Sequence, residues 1–313
     1  FGVPFFLFLI PIQSLYARRG MGAFLSSSLT VFSGIAIVRS IQAVASPAIA
    51  FSWPVIIFNL VIPFIFIAGL YIVNTQYLKQ YRTLHRLLIS AAAFAVASIP
   101  VLVIITSNEQ IIGAIEGFIR AIVEAFQSAA AQTDTYESVE MQALLNPEEM
   151  FSLWKEMFFR TYVFEYFLIV TGTWWLGSLF AFRRKLYKRG PKRLLQFSLP
   201  EFFIWPLLLS WTGILLDTIF GLGFGGYVFW NAGLITVFLY LLQGIGILQF
   251  LIVKFKVPRI ARFMFIFALI TLMLVPYLYF IMLLLIPGIG ISETWINFGR
   301  FERSDHGNQD NSE

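Results

Sequence analysis

The chain has 313 residues, 58% of them hydrophobic and 12% charged, with a mean hydropathy of +0.79. Soluble domains carry about a quarter of their residues as charges, so this composition excludes a water-exposed globule and points to a polytopic membrane protein. The formal charge of +5 does not point to nucleic acid, because the bases cluster at the ends of apolar runs, and the lack of cysteine removes disulfides, thiolate metal sites and cysteine nucleophiles.

In chain order, residues 1–16 are apolar and end at Arg18 and Arg19. A second span is predicted over about 22–44 and a third over about 51–74, after the break at Ser46-Pro47. A basic loop with Lys79, Arg82 and Arg86 leads to a fourth span over about 87–107. Residues 108–157 are polar and acidic. A fifth span, about 158–182, reaches RRKLYKRGPKR (Arg183–Arg193), where seven of eleven residues are Lys or Arg. The sixth covers about 201–220, GLGFGG makes a short turn, and the seventh covers about 228–252. Lys254, Lys256, Arg259 and Arg262 form another basic loop before an eighth span, about 262–287. The expected fold class is thus all-α: a polytopic transmembrane bundle of about eight spans. It divides into membrane spans over 1–107, an extracytoplasmic segment over 108–157, further spans over 158–288 and a polar tail over 289–313. The chain opens at Phe1 inside an apolar run, without a basic leader or a small-residue cleavage site. It reads as truncated or renumbered rather than as beginning with a signal peptide.

Charge orients these spans. The four basic loops alternate with poorly basic ones, and basic loops stay on the cytoplasmic side. Arg183–Arg193 is therefore expected in the cytoplasm of a bacterial inner-membrane protein, with both ends of the chain outside. Segment 108–157 carries nine acids, from Glu109 to Glu156, against Arg120 and Lys155. Within it Ile111, Ile115, Phe118, Ile119, Ile122 and Phe126 recur at helical spacing opposite a Glu116, Arg120, Glu124 stripe, which predicts an amphipathic helix on the outer surface. A ninth span there would reverse every later assignment and break the charge alternation. Asn146-Pro147-Glu148-Glu149 reads as a helix N-cap, with one helix running from it into the fifth span.

Several stretches resemble a bacterial family of integral membrane proteins, the YybS-like proteins. LIPIQSLYARRGMGAFLSS resembles that family's proline-containing early span, basic pair and small-residue helix. LLNPEEMFSLWKEMFFR with RRKLYKRG is similar to its outer helix leading into a basic loop, and FSLPEFFIWPLL to its proline-aromatic opening of the next span. GISETWINFGR resembles its closing pattern Gly…Asp-x-Trp-x-Asp-Phe-Arg, with Glu293 and Asn297 at the acidic positions and Gly299 before Arg300. The resemblance implies an additional N-terminal span. It also implies a distant likeness to substrate-capturing subunits of energy-coupling-factor transporters and to the rod-shape protein MreD. It brings no established activity.

Polar residues inside lipid are costly and mark either function or pairing. Counting about 1.5 Å per helical residue, Arg39 and Gln42, Asn59, Glu165, Asp217 and Asn231 fall toward the outer ends of their spans. One reading makes them a small-molecule site open to the outside, with Arg39 paired to Glu165 or Asp217. The other makes them headgroup contacts or ion pairs that hold helices together. Ala23, Ser27, Thr30 and Gly34 form a narrow face on the second span, suited either to a transmembrane partner or to packing within the protein.

No catalytic or metal signature survives inspection. GLGFGG lacks a preceding strand and a downstream Lys-Ser/Thr pair, so it is no phosphate loop. His85 and His306 lie far apart, and Asp217 stands as a lone aspartate within the spans. Trp174, Trp175, Trp205 and Trp211 read as lipid anchors before a ligand cage. The expected function is small-molecule transport or solute capture without an ATPase of its own, and with no cofactor. The alternative is a scaffold for an envelope assembly. The bilayer is the one partner composition demands.

Overall fold

The computed structural model describes residues 6–45, 53–78, 80–130, 146–183, 197–275 and 278–296. Among them there are ten α-helices and no strand. Hydrocarbon offers no water to bond the backbone, so a spanning segment must pair its own N–H and C=O groups, as a helix does. Five helices are long and apolar enough to cross a membrane: Met21–Val38, Thr83–Ser107, Pro147–Phe182, Glu201–Phe220 and Phe224–Lys254. Leu60–Asn74 and Leu278–Ser292 are shorter apolar helices. The chain forms two compact units, Phe1–Gly190 and Pro191–Glu313.

The first unit holds α1 (Leu9–Arg19), α2 (Met21–Ala45), α3 (Trp53–Asn74), α4 (Thr83–Ser107), α5 (Glu109–Ala130) and α6 (Pro147–Arg183). Its spine is α6, with 37 residues and a length of about 55 Å, well beyond the roughly 30 Å that hydrocarbon requires. As predicted, Asn146 opens it: its side-chain oxygen accepts the Glu148 N–H at 3.1 Å, and its amide donates to Glu149 at 3.3 Å. Val163, Tyr166, Phe167 and Val170 are its buried face. Two glycines bring other segments close to it. A Cβ on Gly177 would collide with Gln13 of α1, and one on Gly69 of α3 would collide with the Tyr166 hydroxyl.

The end of α3 shows how a helix terminus is satisfied inside this unit. The last carbonyls of a helix have no partner of their own. Here the Tyr16 hydroxyl donates to Asn74 O at 2.7 Å and the Arg86 guanidinium donates to Val73 O at 2.8 Å. A cation at that end also suits the helix dipole. The Asn74 side chain closes a buried double amide bond with Gln13, at 2.6 and 3.3 Å. One turn higher, Ser90 reaches Gly69 O at 3.2 Å and the Tyr166 hydroxyl at 3.0 Å.

The amphipathic helix is α5, which follows α4 after the single residue Asn108. The Asn108 side chain accepts from the Gln110 and Ile111 N–H groups, at 3.0 and 3.2 Å. Its Glu116, Arg120, Glu124 stripe is exposed, as expected. Its apolar arc divides in two. Ile119 and Val123 are buried where α5 packs on α4 and α6, whereas Phe118 and Ile122 remain exposed. The helix is therefore docked on protein along part of the arc that the periodicity assigns wholly to the membrane surface.

The second unit holds α7 (Ile204–Phe220), α8 (Phe224–Lys254), α9 (Arg259–Leu274) and α10 (Leu278–Ser292). Its spine is α8, with 31 residues. Close pairs run along α7 and α8 in opposite directions: Gly213 against Phe229, Asp217 against Gly226, and Ile214 against Gly233. On the other half of α8, Gly244 meets the Ile286 carbonyl and Gly290 of α10 meets the Tyr240 carbonyl, with no room for a Cβ at either glycine. This is backbone-to-backbone packing of the kind small residues permit.

The region expected as one span over 262–287 is two helices. Val275 is extended, with φ −84° and ψ 125°, the conformation that a following proline imposes through its ring. Pro276 thus ends α9.

The α8–α10 contact yields a sharp expectation. Gly290→Ala forces a methyl into the Tyr240 carbonyl and is expected to cost about 1–3 kcal/mol, the usual range for overpacking. Gly288→Ala, at a position with nothing within 4 Å, is expected to leave the unfolding midpoint unchanged. Thermal unfolding in detergent reads both, and equal midpoints for the two variants would contradict the packing described.

Candidate functional site at Gln243

Of the residues predicted to form an outer polar layer, the side chains of Glu165, Asp217 and Asn231 are described, and each bonds to its own stretch of chain. Arg39 and Gln42 lie on α2 and Asn59 on α3, and their side chains are outside the described residues, as is any pairing of Arg39. Glu165 is exposed on α6 and accepts from Thr161 of the preceding turn at 2.9 Å. Asp217 and Asn231 belong to the second unit. Asp217 accepts the Leu222 N–H at 2.9 Å, closing the turn between α7 and α8. Its carboxylate also lies against Gly226 in the first turn of α8, where the helix dipole favours negative charge. Asn231 is buried and donates to the Tyr227 carbonyl one turn back, at 2.8 Å. All three serve neighbouring turns of the chain.

The polar centre of the second unit is Gln243, at the start of the C-terminal half of α8 and only 3% exposed. Its side-chain oxygen accepts the backbone N–H of Leu199, just ahead of α7, at 2.8 Å. Its nitrogen donates to the Gly290 carbonyl of α10 at 3.0 Å and to the Glu293 carboxylate at 2.8 Å. The partners settle which amide atom is which, since a backbone donor faces the oxygen and two acceptors face the nitrogen. Both N–H donors are used, and one of them makes a charge-assisted bond.

Geometry explains why this residue gathers so much. Along α8, α7 covers the N-terminal half and α10 the C-terminal half. The approach to α7, at Leu199 and Pro200, and the end of α10, at Gly290 to Glu293, both arrive at the level of Gln243. The start of one helix and the end of another therefore meet over one continuous helix, and a single amide ties them together. The chemistry available there is polar recognition in an apolar setting, with a carboxylate, a carboxamide and the backbone of two helix ends. Among the described residues, no three His, Asp or Glu side chains come together in a group that holds a metal ion.

Gln243 is absent from the residues predicted as a site. The available signal was an uncharged amide beside two glycines, in LLQGIGIL, within an otherwise apolar run. Glu293 was visible only as part of the closing GISETWINFGR pattern.

Gln243→Leu leaves the Leu199 N–H without its acceptor and removes a donor from the Gly290 carbonyl and the Glu293 carboxylate. A buried group left without its partner costs about 1–3 kcal/mol, so this variant is expected to be among the least stable in α8. Gln249→Leu, at an exposed position of the same helix, is the matched control and is expected to behave as the parent. Comparable unfolding curves for the two would show that the junction does not hold the unit together.

No curated protein and no solved structure is significantly similar to this chain. The family model described as predicted membrane protein (DUF2232) matches residues 2–285, which is nearly the whole chain. The chain therefore belongs to this family of polytopic membrane proteins, DUF2232.

Proposed function

We propose that this protein captures or moves a small solute across the bacterial inner membrane, without catalysing a reaction and without hydrolysing ATP itself. The observation that carries the reading is the junction at Gln243. In membrane transporters, solute and ion sites form at helix ends that face a continuous partner, and here one amide, Gln243, gathers the backbone of two such ends together with a carboxylate. Glu293 places a charge-bearing group there. In this reading the Arg183–Arg193 loop faces the cytoplasm, and any coupling to ATP comes from partner subunits.

The α2 face has room for such a partner. Thr30 is exposed, and a Cβ added at Gly34 would meet nothing within 4 Å. The same open face favours a second reading, a scaffold of an envelope assembly distantly like MreD. Copurified proteins separate the two: ATPase and coupling subunits fit solute capture, whereas envelope-synthesis or cytoskeletal proteins fit the scaffold.

Native mass spectrometry of gently extracted parent protein is expected to show a retained small molecule. Glu293→Gln keeps the shape but removes the charge, and is expected to lose that mass while remaining folded. A parent spectrum with no bound mass, together with copurified envelope proteins, would overturn the solute reading in favour of the scaffold.

A further inference from the structure

The arrangement of α8, α9 and α10 assigns α9 a place that its composition hides. Contacts pair Gly244 with Ile286 and Tyr240 with Gly290, so α10 runs antiparallel to α8. From the Gly244–Ile286 contact, Lys254 lies about 15 Å further along α8, and Leu278 lies about 12 Å back along α10, at 1.5 Å per residue. The last residue of α8 and the first of α10 are therefore nearly level. The intervening α9 has 16 residues and a length of about 24 Å. It starts five residues after Lys254 and ends four before Leu278. Four extended residues reach about 14 Å at most. Were α9 to cross a hydrocarbon core of about 30 Å, the chain could not regain the start of α10. Both ends of α9 stay on the side where α8 ends.

That side is strongly basic. Lys254, Lys256, Arg259 and Arg262 fall within nine residues with no acid among them. Lys256 takes φ +50°, bending the chain sharply between the two helices. The first turn of α9 has no side-chain cap on its N–H groups. Apart from these bases α9 is apolar and open: Ile260, Phe263, Met264, Phe267 and Leu274 are all more than 60% exposed. A bare apolar helix tethered by bases at one end is suited to the boundary between acyl chains and anionic headgroups.

We propose that α9 is an in-plane helix on the Lys254–Arg262 side of the membrane, and that this basic turn binds the headgroup phosphates of anionic phospholipids. The assignment does not depend on the solute reading, because it uses neither Gln243 nor Glu293 as a ligand. Bases close to an anionic membrane surface each strengthen binding about fivefold, and salt screens the effect.

The chain has no cysteine, so one introduced thiol reports one position. Lys256→Cys and Val275→Cys, each in the full chain in sealed vesicles, are expected to react with an impermeant maleimide from the same side. Reaction from opposite sides makes α9 a span and overturns the proposal. For the ligand, the full chain is extracted from bilayers of mixed phosphatidylcholine and phosphatidylglycerol and read by native mass spectrometry. Retained phosphatidylglycerol is expected to fall at least tenfold in the fourfold variant K254Q/K256Q/R259Q/R262Q, with phosphatidylcholine unchanged. If that variant does not fold, loss of phosphatidylglycerol from the parent on raising salt replaces it as the supporting result. Retention that neither the substitutions nor salt reduces would overturn the lipid assignment. Displacement of the lipid by inorganic phosphate would instead assign the turn to a soluble anion.

Discussion

The constraint that shapes this protein is the need to satisfy polar backbone where water is absent. Helices solve it internally along their length, but every helix end leaves carbonyls or N–H groups unpaired. In the first unit the end of α3 is closed by Tyr16, Arg86 and the Gln13–Asn74 amide pair. In the second unit the problem is larger, because two helices begin or end against the side of a third. Gln243 answers it with one side chain that accepts from the approach to α7 and donates to the end of α10. The glycines at 244 and 290 belong to the same solution, since only without a Cβ can the α10 backbone come near enough to be bonded.

That dependence explains what could be read from the chain alone. The all-α class, the Asn146 cap and the amphipathic α5 are local: each rests on residues within a few turns of one another, where periodicity and capping chemistry act. The break at Pro276 is not local in that sense. Pro63, Pro100 and Pro287 all sit inside helices, so a proline in an apolar run does not by itself say whether the helix bends or stops. What decides is whether the ends must reach somewhere, and α10 must reach Gly244 and Gln243. The Gln243 junction was hidden for a related reason. A search for charges in lipid finds Glu165 and Asp217, which bond to their own turns. It passes over an uncharged amide whose partners lie 44, 47 and 50 residues away in sequence.

The two proposals place different work on the two faces of the second unit. The junction at Gln243 ties the approach to α7 to the end of α10. An in-plane α9 holds the far end of α8 against the headgroup layer, and so sets the depth at which that junction sits. In the first unit Thr30 of α2 is exposed and Gly34 has no atom near its Cβ position.

The central claim is that Gln243 holds the backbone ahead of α7. The amide proton of Leu199 tests it most directly, because that residue lies outside any helix and precedes Pro200. Residue-resolved amide hydrogen exchange of the protein in micelles is expected to find this proton as protected as those inside α7. In Gln243→Leu that protection is expected to vanish while α7 itself keeps its own. Fast exchange at Leu199 in the parent protein would contradict the account.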